Sequence, residues 1–410
     1  TPMEAFPDKV STDQGLSKSR YRFVIAGLLL LANLALGLNL FAASPIVPLI
    51  IEDYGVNRAA AGLLVTLPLM VAAVLGLPGG LIIARIGVRR AFTAGWWLMA
   101  LAALSALAPN FGTLLVLRLA YGLGMALLFT ATGPILMQWF QPKEVFMVNG
   151  LNQAAFSLGI ATSLFTAVPL ADAVGWSRAL SIFGIAGVVG AMAWMYLSRP
   201  VGQASPSVPM VTRKALWSIL SNRTVLLLVV GDAGALLQYS ALTTWLPSFY
   251  NEVRGISLSQ AGIITGLLTF VGVFAVLLGG FGPARFGSNK AFLIVPGIMV
   301  VLGGLGAFLF GNLVGIYFSV IVLGVGSWLY VPTIFSLPME IPGMTPENVA
   351  LVWGFIITVA GSGAFLSPLL VGALRDLSGS FMPGFIICAV AALSLLAAGI
   401  FMPKLAPANE

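Results

Sequence analysis

Two charges interrupt the apolar stretches of this sequence, Arg118 and Asp232, and any chemistry would begin with them. In hydrocarbon an ionisable side chain costs about 2.5 kcal/mol or more unless it is paired or wetted, so each asks for a role. The planar guanidinium of Arg118 can clamp an anion through parallel hydrogen bonds. It can equally bond backbone carbonyls and neighbouring polar groups as a structural or gating residue. Asp232 is a candidate carrier of a coupling proton, the alternative being a permanently hydrogen-bonded carboxyl that tightens helix packing. At about 1.5 Å of rise per residue the two differ in depth by about 10 Å, which argues against a direct ion pair.

Further candidates for solute contact are Tyr121, Asn152, Gln153, Gln238, Tyr239, Trp328, Tyr330 and Trp353, with Asn33 and Asn39 near the start of the chain. Buried amides and phenols orient a polar solute, and indole faces cover its apolar part or attract a cation. The same aromatic residues also serve as packing and interface anchors. Asn33 and Asn39 are six residues apart, as are Asp232 and Gln238, which turns the members of each pair about 120° from one another on a helix. They need not all face one cavity.

Several chemistries lack their residues. Histidine is absent and Cys388 is the single cysteine, so neither a metal centre nor a disulfide framework is expected. No close carboxylate pair suits an intramembrane enzyme, and no G-x-x-x-x-G-K-[ST] loop is present to bind ATP. The expected cofactor set is empty, leaving solute or ion gradients as the energy source.

The elements that must position these side chains follow from composition. The 410 residues are 59% hydrophobic and 8% charged, against about a quarter charged in soluble domains. Twelve apolar runs can be read, at roughly 23–50, 59–84, 91–108, 113–139, 148–170, 179–197, 224–249, 260–282, 290–310, 313–336, 347–373 and 380–402, most near the length of about 20 residues that spans a bilayer. With the N-terminus in the cytoplasm, fifteen Lys and Arg fall on that side and four on the other, Arg118 lying within a run. This positive-inside bias puts both termini in the cytoplasm and explains the net charge of +7 without a nucleic-acid partner. The polar, Pro- and Ser-rich stretch 198–223 reads as a linker. The expected organisation is a tail 1–22, a six-helix bundle 23–197, the linker 198–223, a second bundle 224–402 and a tail 403–410.

The halves are duplicates. Gly80, Ala84, Arg85, Gly87, Arg89 and Arg90 recur 200 residues later as Gly280, Ala284, Arg285, Gly287, Asn289 and Lys290. At nearly the same shift Pro48 matches Pro247, Gly55 matches Gly255, Asn33 matches Asp232 and Asn39 matches Gln238. The repeated stretch resembles the loop G-x-x-x-D-R/K-x-G-x-R/K-R/K of the major facilitator superfamily, and Arg118, Gly122, Gly124 and Ala126 resemble its R-x-x-x-G-x-G-x-A signature. The resemblance covers essentially the whole chain. It implies an all-α polytopic fold of 12 transmembrane helices in two pseudo-symmetric six-helix bundles. It also implies alternating access, with helices 1, 4, 7 and 10 and parts of 2, 5, 8 and 11 lining the path.

Gly80, Arg85, Gly87, Arg89, Arg90 and Arg285 are the motif residues to which gating is assigned. Ala84 stands where the family has Asp, so the usual charge network is incomplete. The arginines can cap helix C-termini, meet Glu144, or merely fix topology. Run five lacks the G-P-x-x-G-G pattern of drug:proton antiporters. The expectation is a secondary transporter, a monomer in a prokaryotic inner membrane, whose partners are lipid, a small-molecule substrate and, where transport is coupled, protons. A small organic or inorganic anion comes first as substrate. A cationic or amphipathic compound, moved inward or outward, and a transport-like receptor are the alternatives.

Overall fold

Hydrocarbon offers backbone N–H and C=O groups no partner, and a helix satisfies them within one segment. The computed structural model describes residues 20–140, 142–198, 217, 221–286, 290–341 and 346–403, and twelve of its helices are long and apolar enough to cross a membrane. They are α1 (Arg22–Tyr54), α2 (Arg58–Ile86), α3 (Val88–Leu107), α4 (Phe111–Trp139), α5 (Pro142–Val174) and α6 (Trp176–Leu197), then α7 (Arg223–Arg254), α8 (Leu258–Phe286), α9 (Ala291–Leu309), α10 (Leu313–Ser336), α11 (Pro346–Ser378) and α12 (Met382–Phe401). Several outrun the apolar segments by a few residues, because a helix continues into the interface after its hydropathy falls. Most of the linker and both tails lie outside the described residues.

Local chemistry sets the ends. Asn57, Asn110, Asn222 and Asn312 each accept a hydrogen bond from a first-turn N–H of α2, α4, α7 and α10, which satisfies an orphan donor. Gly55 and Gly255, 200 residues apart, end α1 and α7 in the left-handed conformation at φ 64° and 66°, where a Cβ is strained. Such matched caps are the duplication expressed as geometry. One face of the molecule carries the start of α1 and the junction between α6 and α7, and is called here the linker face. The opposite one is the far face.

The first six helices pack on one another, as do the last six, and the bundles meet along α2 with α11 and α5 with α8. Within each bundle a G-x-G pair works on two sides. A Cβ on Gly122 would lie 2.7 Å from Pro68 Cα on α2, and one on Gly124 would lie 2.6 Å from the Gly95 carbonyl on α3. In the second bundle a Cβ on Gly324 would collide with the Leu268 carbonyl on α8, and one on Gly326 would lie 2.8 Å from Met299 Cβ on α9. The pair lets α4 and α10 touch two neighbours backbone to backbone. Gly124→Ala and Gly324→Ala should therefore each destabilise their bundle, by about 1–3 kcal/mol. A drop in melting temperature in detergent would show it, whereas Gly27→Ala, where a Cβ meets nothing within 4 Å, should not lower it.

Candidate functional site

The site begins where α1 breaks. Pro45 and Pro48 have no N–H to donate, and α1 divides into Arg22–Leu40, a turn, a 3-10 turn Ser44–Ile46 and a second segment Val47–Tyr54. Carbonyls at the end of the first segment thereby lose their helical donors. A side chain of α4 supplies a replacement, Arg118 Nη1 donating to the Asn39 carbonyl at 2.6 Å, and one turn away the Tyr121 hydroxyl adds a bond to the Leu36 carbonyl, also at 2.6 Å. A cation at a helix C-terminus also meets the negative end of its dipole. Arg118 is 4% exposed, its guanidinium 6.0 Å from the Tyr121 ring centre. No ion pair among the described residues includes it, and its Nε–H is buried without an acceptor.

α10 is also divided, at Tyr330 just before Pro332, into Leu313–Leu329 and Val331–Ser336. Pro134, at the matching place in α4, is accommodated in an unbroken helix. At the α10 break the Tyr330 hydroxyl donates to Asp232 Oδ1 at 2.9 Å, inside the second bundle. A line of rings joins the two breaks: Phe41 lies edge-on to Tyr239 with centroids 6.1 Å apart, and Tyr239 lies edge-on to Trp328 at 5.9 Å. Asn152 on α5 is 1% exposed, and both its amide atoms lack a partner. Gln153, beside it, is half-buried.

Other expected site residues are engaged elsewhere. Asn33 donates to the Leu29 carbonyl one turn earlier. Asn39 donates to the carbonyls of Ala35 and of Phe183 on α6, and Gln238 presses its amide against Gly304 on α9. The six-residue spacing explains this, since it turns Asn39 and Gln238 into their own bundles. Trp353 donates its indole N–H to the Phe335 carbonyl at 2.9 Å and pins α11 to the end of α10. Asn33, Asn39 and Trp353 are thus bonded within a bundle, whereas both amide atoms of Gln238 are buried without a hydrogen-bond partner.

Among the motif residues, Gly87 at φ 86° forms the corner between α2 and α3. Arg89 caps the end of α6 through the Ser198 hydroxyl and carbonyl, at 3.2 and 3.1 Å, and Arg90 is exposed. Glu144 pairs with Arg22 at 2.9 Å. The side chains of Gly80, Arg85 and Arg285 lie outside the described residues.

Contacts between the bundles run inward from the far face. Arg58, at the start of α2, reaches Glu252 on α7 at 2.9 Å and Asp376 on α11 at 3.6 Å, and Arg375 reaches the same Glu252 at 3.2 Å. Asp376 also accepts from the Ala59 N–H, at the positive end of α2. Beneath this latch Ser44 donates towards the carbonyls of Thr243 and Thr244, at 2.6 and 2.7 Å. Near mid-membrane Ser157 donates to the Thr269 carbonyl and Thr358 to the Ala73 carbonyl. Arg58 and Arg375 are two of the four basic residues that the charge bias puts on the side away from the termini, and the sequence gives them no other role. The acids near them, Glu252 and Asp376, were the available signal, while nothing short of the fold brings four loop ends together. Phe41, Ser44 and Thr243 were missed as well, although Pro45 and Pro48 mark the break beside which the first two lie.

The family model described as Major Facilitator Superfamily matches residues 29–368. Among curated relatives, the chain is 25% identical to the hexuronate transporter of Bacillus subtilis over 88% of this chain and 89% of that one. It is 23% identical to the probable nitrate transporter NarT of Staphylococcus epidermidis over 88% and 91%, and 26% identical to the 4-hydroxybenzoate transporter PcaK of Pseudomonas aeruginosa over 74% of each. A solved bacterial homolog of the human lysosomal transporter Spinster, in an inward-facing, unoccupied conformation, shares the fold with a TM-score of 0.71 at 18% identity, over 94% of this chain and 95% of that one. With twelve spanning helices in two bundles and a family match over most of its length, the chain is an integral membrane protein that belongs to the Major Facilitator Superfamily.

Proposed function

We propose that the chain is a secondary transporter that moves a small organic or inorganic anion by alternating access. It works as a monomer in a prokaryotic inner membrane with both termini in the cytoplasm. The observation that carries this reading is the buried guanidinium of Arg118, which meets one carbonyl and a phenol ring but, among the described residues, no carboxylate. The carbonyl dipole offsets part of the cost of burying it, and an incoming anion completes the compensation. The relatives' named solutes, hexuronate, nitrate and 4-hydroxybenzoate, are all anions at neutral pH, which favours the same choice over a cation. Asn152 and Gln153 supply amide contacts from α5. Asp232 carries the coupling proton, and Tyr330 bonds it at the break of α10.

Under this reading the far face is the outside, and the present arrangement is the one closed to it. Arg58, Glu252, Arg375 and Asp376 are 21 to 28% exposed as side chains, so each pair is worth no more than about 1 kcal/mol. A latch of that strength holds one state without trapping it.

Uptake into proteoliposomes tests the reading. Arg118→Lys keeps the charge that caps α1 but loses the fork, so anion uptake should fall about tenfold or more. Asp232→Asn should abolish the response to an imposed proton gradient while leaving anion exchange. Uptake of a cation that Arg118→Lys leaves intact and Asp232→Asn abolishes would contradict the anion assignment. For the latch, Arg58→Gln should increase labelling from outside of a cysteine placed at the buried Ser248, by about fivefold for a loss near 1 kcal/mol.

A further inference from the structure

Beside the ring line lies a polar cluster that the protein leaves open. Tyr239 lies edge-on to Trp328 with ring centroids 5.9 Å apart, and Thr243 follows Tyr239 by one turn of α7; the two hydroxyls and the indole N–H are all buried without a hydrogen bond of ordinary geometry. Tyr239, Trp328 and Thr243 are 6%, 7% and 0% exposed, respectively. Leaving buried donors unmet is costly, and three of them gathered in one place ask for a partner. The cluster is rich in donors, since the indole nitrogen accepts nothing and two hydroxyls cannot absorb three hydrogens without turning at least one outward. What it lacks is an acceptor oxygen from elsewhere.

The surroundings narrow the chemistry of that acceptor. The cluster sits on the second bundle, Phe41 closes on Tyr239 from the first bundle, and the Arg118 guanidinium bonds Asn39 two residues before Phe41. A ligand spanning the two poles passes between aromatic edges and faces, which reward an apolar body. Arg118 and Asp232 are the only charges well inside the apolar runs, so a second anionic group at the cluster would find no cation.

We propose that Tyr239, Trp328 and Thr243 form an acceptor-recognising pole, so that the substrate is an organic monoanion whose apolar body carries a second, uncharged acceptor oxygen. This rests on the anion reading above and narrows it. Such a solute bridges the bundles, with its charge on the first and its acceptor on the second. Gly272 on α8 supports the indole from behind, because a Cβ there would collide with the Trp328 ring.

Calorimetric titration of the purified full chain with three probes tests the proposal. The probes are 4-acetylbenzoate, the similarly shaped but acceptor-free 4-isopropylbenzoate, and nitrate. Wild type should bind the acetyl compound about five- to twentyfold more tightly than the isopropyl one, as expected for one or two hydrogen bonds. Tyr239→Phe and Thr243→Val keep the side-chain shapes while removing a donor, and should each bring that ratio towards one. Affinity for 4-isopropylbenzoate should stay within about twofold, which also reports that the variants are folded. Equal wild-type affinities for the two benzoates, or a ratio that survives in both variants, overturns the proposal. Binding of nitrate but of neither benzoate overturns it while leaving the anion reading intact. Failure of all three probes to bind removes both.

Discussion

A guanidinium inside hydrocarbon must be given acceptors, and the way this chain provides them organises the molecule. Arg118 finds a carbonyl on α1 because two prolines prevent that helix from continuing. The broken helix and the buried cation thus depend on each other. Removing the charge leaves a carbonyl at the break unmet, and closing the break leaves the charge without that partner. Backbone dipoles stabilise a cation less than a carboxylate would, and the anion reading proposed above rests on that difference.

The duplication gives two bundles of like construction, but their polar centres differ. The first bundle breaks α1 and holds an arginine there, whereas the second leaves α7 continuous, breaks α10 and holds an aspartate. In membrane carriers, discontinuous helices can expose backbone groups to solutes. The two breaks meet through Phe41, Tyr239 and Trp328, so a solute lodged among those rings would touch the moving parts of both halves at once. The latch at the far face is the counterpart of that contact, since it joins the halves when closed and is weak enough to part.

Much of this was legible in the sequence. Helix count and the two-bundle fold follow from hydropathy and the repeat, because both are one-dimensional expressions of the bilayer and of duplication. Arg118 and Asp232 stand out for the same reason, since nothing else charged lies well inside the apolar runs. Direction was harder to read. Asn39, Gln238 and Trp353 have the right residue types on the right helices, yet bond or pack within a bundle, because the facing of a side chain depends on neighbours that hydropathy does not name. Thr243 was invisible for the opposite reason: a threonine on a polar helix carries no signal until its lack of a partner is seen.

The central claim is that an anion completes the charge of Arg118 between the two bundles. Crystals of the protein grown with 4-iodobenzoate, measured for anomalous scattering from iodine, would place the ligand directly. The account predicts an iodine peak among Phe41, Tyr239 and Trp328, with the carboxylate within hydrogen-bonding distance of the Arg118 guanidinium. A well-occupied peak on the surface or inside a single bundle, with Arg118 still bonded only to backbone, would contradict it.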